Sequence, residues 1–569
     1  MRRLGFALLL LVLGAGPAWA GVIPAVSCSN TAALPHVQTA VNKASNGDTV
    51  TVPAGSCTWD KALVPSNKYM TLQGAGIGQT VITQGDKTAR LISWTTIAGG
   101  LSRITGFTFE GATGGGVTNP TVDIQGVSPT MRVDHTRFVI NSASLAAIHI
   151  RGYVRGVGDN NQFDLTGVGF CCGYYVHHES WSTPRSNFGD ASWAADDTWG
   201  TDQAWYWETN TITYDNTGHA PGSRHSVTSD GWMGSRVVNR FNTYLNVILS
   251  GGHGTDTGQR WRGRRQTESY NETFVFDCAT CGGIDEISPA IGGRSGSMMV
   301  FNNTITAANG STVSTALGLA IDRFKRVASD YKPWTYCGET SVTSLTTGGV
   351  MTTTVGHGIG VATYGGAPTR VRISGATGAD AAIYNGVHSV SAIGSSTQAT
   401  LVLSGTPSGN ATGTVVLTSP FDGNTNQYGY PCLDQVGYGK SDLLSGTNPS
   451  PIAWPHQVLT PSLYWNNTLN GAVQAPTGDP NSLVLNREYR TDSTITQGTI
   501  AARPASCTTG VLYWATDEGS WNHTVPPGTS GKLYKCTSTN HWDAWYGSNN
   551  ATGEPLAYPH PLRGEVPPP

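Results

Sequence analysis

Charge is the scarcest property of this chain. Asp, Glu, Lys and Arg make up 12% of its 569 residues, and 34 basic against 37 acidic side chains leave a formal net charge of −3. No overall field favours nucleic acid. Beyond the N-terminus there is no apolar run long enough to cross a bilayer. A second cysteine pair at zinc-finger spacing is also missing. What the chain has instead is 72 glycines, with many threonines, serines, asparagines and valines. That composition fits an extracellular all-β protein, and the length allows several domains.

Residues 1–20 read as a secretory signal peptide. Arg2 and Arg3 precede an apolar run from Phe6 to Leu13, and Ala18-Trp19-Ala20 offers small residues for cleavage after Ala20. The expected location is secreted, extracellular or periplasmic. Without the two arginines the mature balance is 32 basic to 37 acidic, a net charge of about −5.

One phrase recurs. Phe301-Asn302-Asn303-Thr304-Ile305 has counterparts at Glu208–Ile212, Arg240–Tyr244, Tyr270–Phe274 and Trp465–Leu469. Thr211, Thr243, Thr273 and Thr304 lie 32, 30 and 31 residues apart. A near-constant period of this size means a solenoid, whose units are too short to bury an apolar face alone. Alternating Phe/Asn and Thr/Ile positions suit strands. An asparagine at the same place in each unit predicts a ladder of side-chain amides at a bend.

The opening sequence adds a second pattern. Val37–Ala44 is an amphipathic helix candidate. It is followed by Gly47-Asp48-Thr49-Val50-Thr51-Val52-Pro53 and then Thr71-Leu72-Gln73-Gly74-Ala75-Gly76. This resembles the opening cap and first coil of the right-handed parallel β-helix, or pectate-lyase-like, superfamily. The resemblance covers roughly residues 35–335 and resumes after about 432. It implies an all-β, right-handed parallel β-helix solenoid with an N-terminal capping helix.

The expected domains are a β-helix over 21–337, an insertion over 338–431, the resumed β-helix over 432–500, and a cap over 501–569. The insertion carries almost no charge and several short alternating strands, with an Asn385-Gly386 turn. It reads as a small β-sandwich or barrel, weakly similar to Ig-like modules, and is assigned as an Ig-like β-sandwich. The cap reads as an aromatic-rich, disulfide-pinned hairpin over the open end of the solenoid.

Ten cysteines in an exported chain favour disulfides. The expected pairs are Cys28–Cys57, Cys337–Cys432 and Cys507–Cys536. Cys278 and Cys281 suit a local pair, and the pairing of Cys171 and Cys172 stays open.

The densest chemistry lies between residues 222 and 294. Counting back from the repeat threonines puts Arg236, Arg264/Arg265 and Arg294 at similar points of successive units. Such arginines would form a basic strip suited to a uronic-acid polymer, because guanidinium binds carboxylate bidentately. Gly252-His253-Gly254 weakly resembles the Gly-His-Gly signature of polygalacturonases, but their paired Asp-Asp and Arg-x-Lys elements are not evident. The lyases of the superfamily neutralise the uronate carboxylate with Ca²⁺ or arginine and remove the C5 proton with a base. On that resemblance His253, Arg264, Arg260 and Asp230 are the catalytic candidates. Arg236, Arg262 and Arg294, with Trp199 and Trp205, are the substrate-binding candidates. Asp256 and Asp285 are the candidate metal ligands, for Ca²⁺.

The leading expectation is a polysaccharide lyase acting on an acidic polymer by β-elimination. A hydrolase using Asp230 and Asp256, and a non-catalytic surface adhesin or fibre protein, are the alternatives. No nucleic-acid partner and no membrane span are expected. The sequence does not give an oligomeric state.

Overall fold

The computed structural model describes residues 20–112, 119–140, 146–166, 173–177, 197–215, 226–227, 229–232, 234–250, 263–278, 289–319, 339–357, 359, 362–364, 367–368, 370–418, 436–437, 459–478 and 483–564. The chain is all-β and its frame is two long parallel sheets. The first sheet takes in turn Thr49–Thr51, Thr71–Gln73, Ser102–Thr105, the C-terminal half of Val122–Asp134, Tyr153–Asp159, Trp205–Glu208, Arg236–Arg240, Gln266–Tyr270, Ser297–Phe301 and Ser462–Trp465. The second takes the strand that follows each of them, from Gly55–Trp59 to Thr468–Leu469. Each pass of the chain therefore adds one strand to each sheet.

The recurring phrase sits at the corner between the two sheets. Its first residue ends a strand of the first sheet, and its threonine begins one of the second. The residue between them has a positive φ: 53° at Asn160, 54° at Asn271, 55° at Asn302 and 54° at Asn466. Asparagine tolerates this left-handed region better than most residues, which explains its recurrence. Thr209 and Phe241 fill the same position at φ 58°.

The next residue forms the expected ladder. The Asn161 amide N–H donates to Asn210 Oδ1 (2.9 Å), that of Asn210 to Asn242 Oδ1 (2.9 Å), and that of Asn303 to Asn467 Oδ1 (3.3 Å). The side-chain amides of Asn161, Asn210, Asn242, Asn303 and Asn467 each also donate to a backbone carbonyl of an earlier pass. Glu272 takes one place in this row and accepts from the Asn242 backbone at 2.6 Å. Asn210→Ala would leave the buried Asn161 N–H and Gly158 carbonyl without their partners. The expected loss is about 1–3 kcal/mol, checked by urea denaturation with an unchanged m-value.

Inside the frame, aromatic rings stack from pass to pass. Phe138 and Phe163 lie 5.1 Å apart, and Tyr244 and Phe274 lie 4.4 Å apart. The N-terminal helix is His36–Lys43, with Val37, Ala40 and Val41 buried. Two of the expected disulfides, Cys28–Cys57 and Cys507–Cys536, are formed. Cys278 is disulfide-bonded to a residue outside those described, and Cys337 and Cys432 also lie outside them. Disulfides fit an oxidising compartment. Among the described residues no helix is long and apolar enough to cross a membrane.

Two expectations need correction. The insertion is a closed barrel rather than a sandwich. Its six strands run Glu339–Leu345, Val350–Thr353, Gln398–Val402, Gly386–Ile393, Arg370–Thr377 and Thr412–Thr418 in spatial order. Thr412–Thr418 pairs with both Glu339–Leu345 and Arg370–Thr377, which closes the ring and removes the sheet edges. The frame then resumes, as Ser462–Trp465 pairs in parallel with Ser297–Phe301.

The C-terminal module does not simply cover the open end. Its four strands, Ile495–Gly498, Leu512–Ala515, Lys532–Ser538 and His541–Ala544, form one sheet. Leu512, Trp514 and Leu533 pack on Met299, Phe301 and Trp465 from the outer face of the first sheet. The chain then runs back along that face as far as Asp159 and Arg132. Covered on both sides, strands such as Arg236–Arg240 and Ser297–Phe301 are buried at every residue. A strand buried on both faces cannot show clean alternation.

Candidate functional site

The frame carries a third parallel sheet, formed by Ile92–Thr96, the N-terminal half of Val122–Asp134, Ile148–Arg151, Tyr174–His177 and Ser229–Trp232. Its strands alternate. Ile92, Trp94, Ile124, Ile148 and Ile150 are buried in the core, so the residues between them face outward. Register then sets those residues in rows, one strand per pass. One row runs Ser93, Asp123, His149, Tyr175, Asp230. Beside it, Thr95 pairs with Gln125, and Arg151 with His177.

Asp123 is the centre of this face. Its carboxylate accepts from Arg151 Nε at 3.0 Å and Nη2 at 2.7 Å. The His149 ring nitrogen Nδ1 lies 3.2 Å from Oδ1, and Arg90 Nε lies 3.3 Å from Oδ2. Arg151 Nη2 also donates to Gln125 Oε1 at 2.6 Å, and Gln125 Nε2 donates to Thr95 Oγ1 at 3.2 Å. The Asp123 side chain is 0% exposed, while those of His149, Arg151 and Arg90 are 12%, 27% and 33% exposed.

Burial pushes the Asp123 carboxyl up, but the hydrogen bonds from His149 and Arg151 outweigh it and hold it at about 2. Burial pushes the His149 imidazole below its usual range, against the pull of Asp123. The ring is therefore mostly neutral at neutral pH. With its proton on Nδ1 facing the carboxylate, Nε2 is the basic nitrogen. A carboxylate that fixes the tautomer of a neutral imidazole is an arrangement suited to proton abstraction.

The residues singled out from sequence fall into three groups. Asp230 lies on the third sheet, in the row of Asp123 and His149. Arg236, Arg264 and Arg265 are at most 6% exposed and do not form an open basic strip. Arg236 donates to Thr198 and Arg265 to Asp197, both beneath the C-terminal module, and Arg264 donates to the Ser295 carbonyl. Arg294 is half-buried on the run from Ile291–Gly293 to Ser297–Phe301. Trp205 is an interior residue, and Trp199 packs against Trp545 of the C-terminal module. Neither tryptophan lines an open groove. His253, Arg260, Arg262, Asp256 and Asp285 lie outside the described residues. Among the described residues no three His, Cys, Asp or Glu side chains cluster so as to hold a metal ion.

Sequence reasoning missed Arg90, Asp123, Gln125, His149 and Arg151. The signal was present in Ile148-His149-Ile150-Arg151 and Val122-Asp123-Ile124-Gln125, where apolar and polar residues strictly alternate.

No family model matches the chain, and no curated protein matches it. Among solved structures, ORF18 of Geobacillus virus E2 matches at 13% identity over 68% of this chain and 78% of that one, with a TM-score of 0.25. A likeness at that score carries no argument about fold or activity.

Proposed function

We propose that the chain is an exported right-handed parallel β-helix enzyme that cleaves an acidic polysaccharide by β-elimination. The observation that supports this reading is the row that parallel register sets on the third sheet. It sets Asp123, His149, Tyr175 and Asp230 on successive strands of one face, at the spacing of about 4.8 Å between neighbouring strands. A linear polymer lying across the strands would pass one position of this row per coil, with the partly exposed His149 and Arg151, not the enclosed Asp123, within its reach.

The chemistry follows from the side chains. A guanidinium near the uronate carboxylate makes the C5 proton more acidic. The C5–H bond breaks, and the proton passes to His149 Nε2. Its electron pair forms the C4=C5 double bond. The C4–O4 bond breaks with its pair on O4, which takes a proton from solvent. Asp123 positions the ring. Where Ca²⁺ assists, Asp230, Asp256 and Asp285 are the carboxylates proposed to hold it.

The test is ultraviolet absorbance of the unsaturated uronide during incubation with a panel of uronate polymers, with and without Ca²⁺. Absorbance should rise with at least one polymer, and His149→Ala should slow it by about 10²–10⁴-fold, the usual share of a general base. New reducing ends without absorbance would replace the lyase by a hydrolase. Neither signal across the panel would leave a binding or structural protein.

A further inference from the structure

Two guanidiniums converge on one carboxylate at Asp123. Arg151 spends its bidentate edge there, Nε and Nη2 on the two oxygens. Arg90 does not engage in the same way. Its Nε is within ion-pair distance of Oδ2 at 3.3 Å, yet this buried nitrogen makes no hydrogen bond. Asp123 is held at about 2 and stays ionised, and burial keeps His149 mostly neutral. The cluster therefore carries one carboxylate against two guanidiniums, an excess of one positive charge.

That excess lies at the surface. The carboxylate is 0% exposed, whereas Arg90 and Arg151 are 33% and 27% exposed. Both guanidinium-bearing side chains are thus partly open to solvent while the compensating charge is enclosed below. Around it stand uncharged hydrogen-bonding groups: Ser93 and Thr95 on one strand and Gln125 on the next, with Gln125 linked to both Thr95 and Arg151. The next strand but one brings Tyr175 into the row by register. A cationic edge flanked by hydroxyl and amide groups suits a sugar acid. The guanidiniums take its carboxylate, and the neutral groups take its ring hydroxyls.

The geometry points to a subsite for a single uronate residue at Arg90 and Arg151, with Asp123 as the buried anchor that sets the two guanidiniums. Arg90 is the discriminating member, because Asp123 retains its bidentate partner when Arg90 is changed. This inference rests on reading the third sheet as the polymer-binding face, but not on elimination taking place there.

The experiment is calorimetric titration of the full mature chain with trimers of galacturonate and of glucuronate, and with the same trimers after reduction of their carboxyl groups to alcohols. One acidic trimer should bind, and its reduced form should bind at least about tenfold more weakly, the scale of one hydrogen bond to a charged group. Arg90→Ala should weaken the acidic trimer by about the same factor, and Arg90→Lys by less, since it keeps the charge but loses the fork. Arg137→Ala is the control. Arg137 pairs with Asp164 on the second sheet, away from this face, and is itself 44% exposed. Its variant should bind as the parent does.

The inference is overturned if neither acidic trimer binds, if the reduced trimer binds equally well, or if Arg90→Ala binds like the parent. Binding of the predicted kind with no unsaturated product on any polymer would remove the lyase reading and leave the subsite standing. Elimination that proceeds unchanged in Arg90→Ala would do the reverse.

Discussion

Arg240→Met is expected to destabilise the chain by about 3–5 kcal/mol, the range for removing one partner of a buried ion pair. Arg240 and Glu208 are both fully buried, joined by an Nε–Oε2 contact of 2.7 Å. Burial would push the Arg240 guanidinium down, but Tyr270, Glu208 and Tyr206 more than reverse that and keep it charged. Its other donors hold the C-terminal tail: Nη1 donates to the Leu556 carbonyl at 2.8 Å and Nη2 to the Ala557 carbonyl at 2.7 Å. The plane of the group also lies over Tyr206, 4.7 Å from the ring centroid. Methionine fills much of the volume but leaves two carbonyls without donors and Glu208 short of its nearest charge. Arg563 Nη1 remains 3.2 Å from Glu208 Oε1, which keeps the loss from being larger. Glu208→Gln in the same chain should recover part of it, because the residual charge is then gone. Urea midpoints for the four members of the cycle give the coupling directly. A loss under about 1 kcal/mol, the level of an exposed pair, would mean that the tail is not docked on this face in solution.

The same residue shows which parts of the molecule could be read from its sequence. The corner repeat was legible because it is local. A left-handed backbone position selects asparagine, and the ladder position beside it selects asparagine again. Cys28–Cys57 and Cys507–Cys536 could be placed because each pair spans only 29 residues. The charged stretch around Arg236–Arg265 looked like an exposed strip because nothing near it in sequence covers it. Its cover arrives more than 300 residues later, as the contact between Arg240 and Leu556 shows with a separation of 316. Where the corner residue is not asparagine, the same tail supplies the missing support. Phe241 stacks on Tyr558 at 3.6 Å, and Thr209 Oγ1 meets the Tyr558 hydroxyl at 3.1 Å. The Asp123 site was hidden for a different reason. Its alternating pattern is readable within each strand, but parallel register alone brings Asp123 beside His149, and that register depends on the length of every pass between them. Arg236, Arg264 and Arg265 are thus buried by chain that is distant in sequence, and of the charged residues in the third-sheet row only Asp230 stood out in the sequence, because it alone lies in the charged stretch.

Glu268→Gln should stabilise the chain at alkaline pH by up to about 3 kcal/mol and leave it unchanged in acid. Glu268 lies on the covered face of the first sheet, fully buried. It accepts from the Gly200 N–H at 2.9 Å and the Tyr546 hydroxyl at 2.7 Å. Burial raises its carboxyl from 4.5 to about 7, against the hydrogen bonds from Gly200, Tyr546 and Gln266 and the charge of Arg240. The native state therefore holds a proton that the unfolded chain releases near its ordinary value. A group raised in this way contributes fully below pH 4.5, and its contribution declines as pH rises towards about 7, above which it is gone. Glutamine resembles the protonated form. Its Oε1 still accepts from Gly200, and the Tyr546 hydroxyl can turn to accept from the amide. Glu272 adds a second raised carboxyl in the asparagine row, also through burial, so the Glu268→Gln variant should keep some decline with pH. The check is the urea midpoint of parent and variant from pH 4 to pH 9. Curves that coincide in acid, separate as pH rises from 4.5 to about 7 and keep that gap above neutrality fit a protonated Glu268, whereas a constant offset across the range would mean that the carboxylate is charged in the native state and held by Arg240.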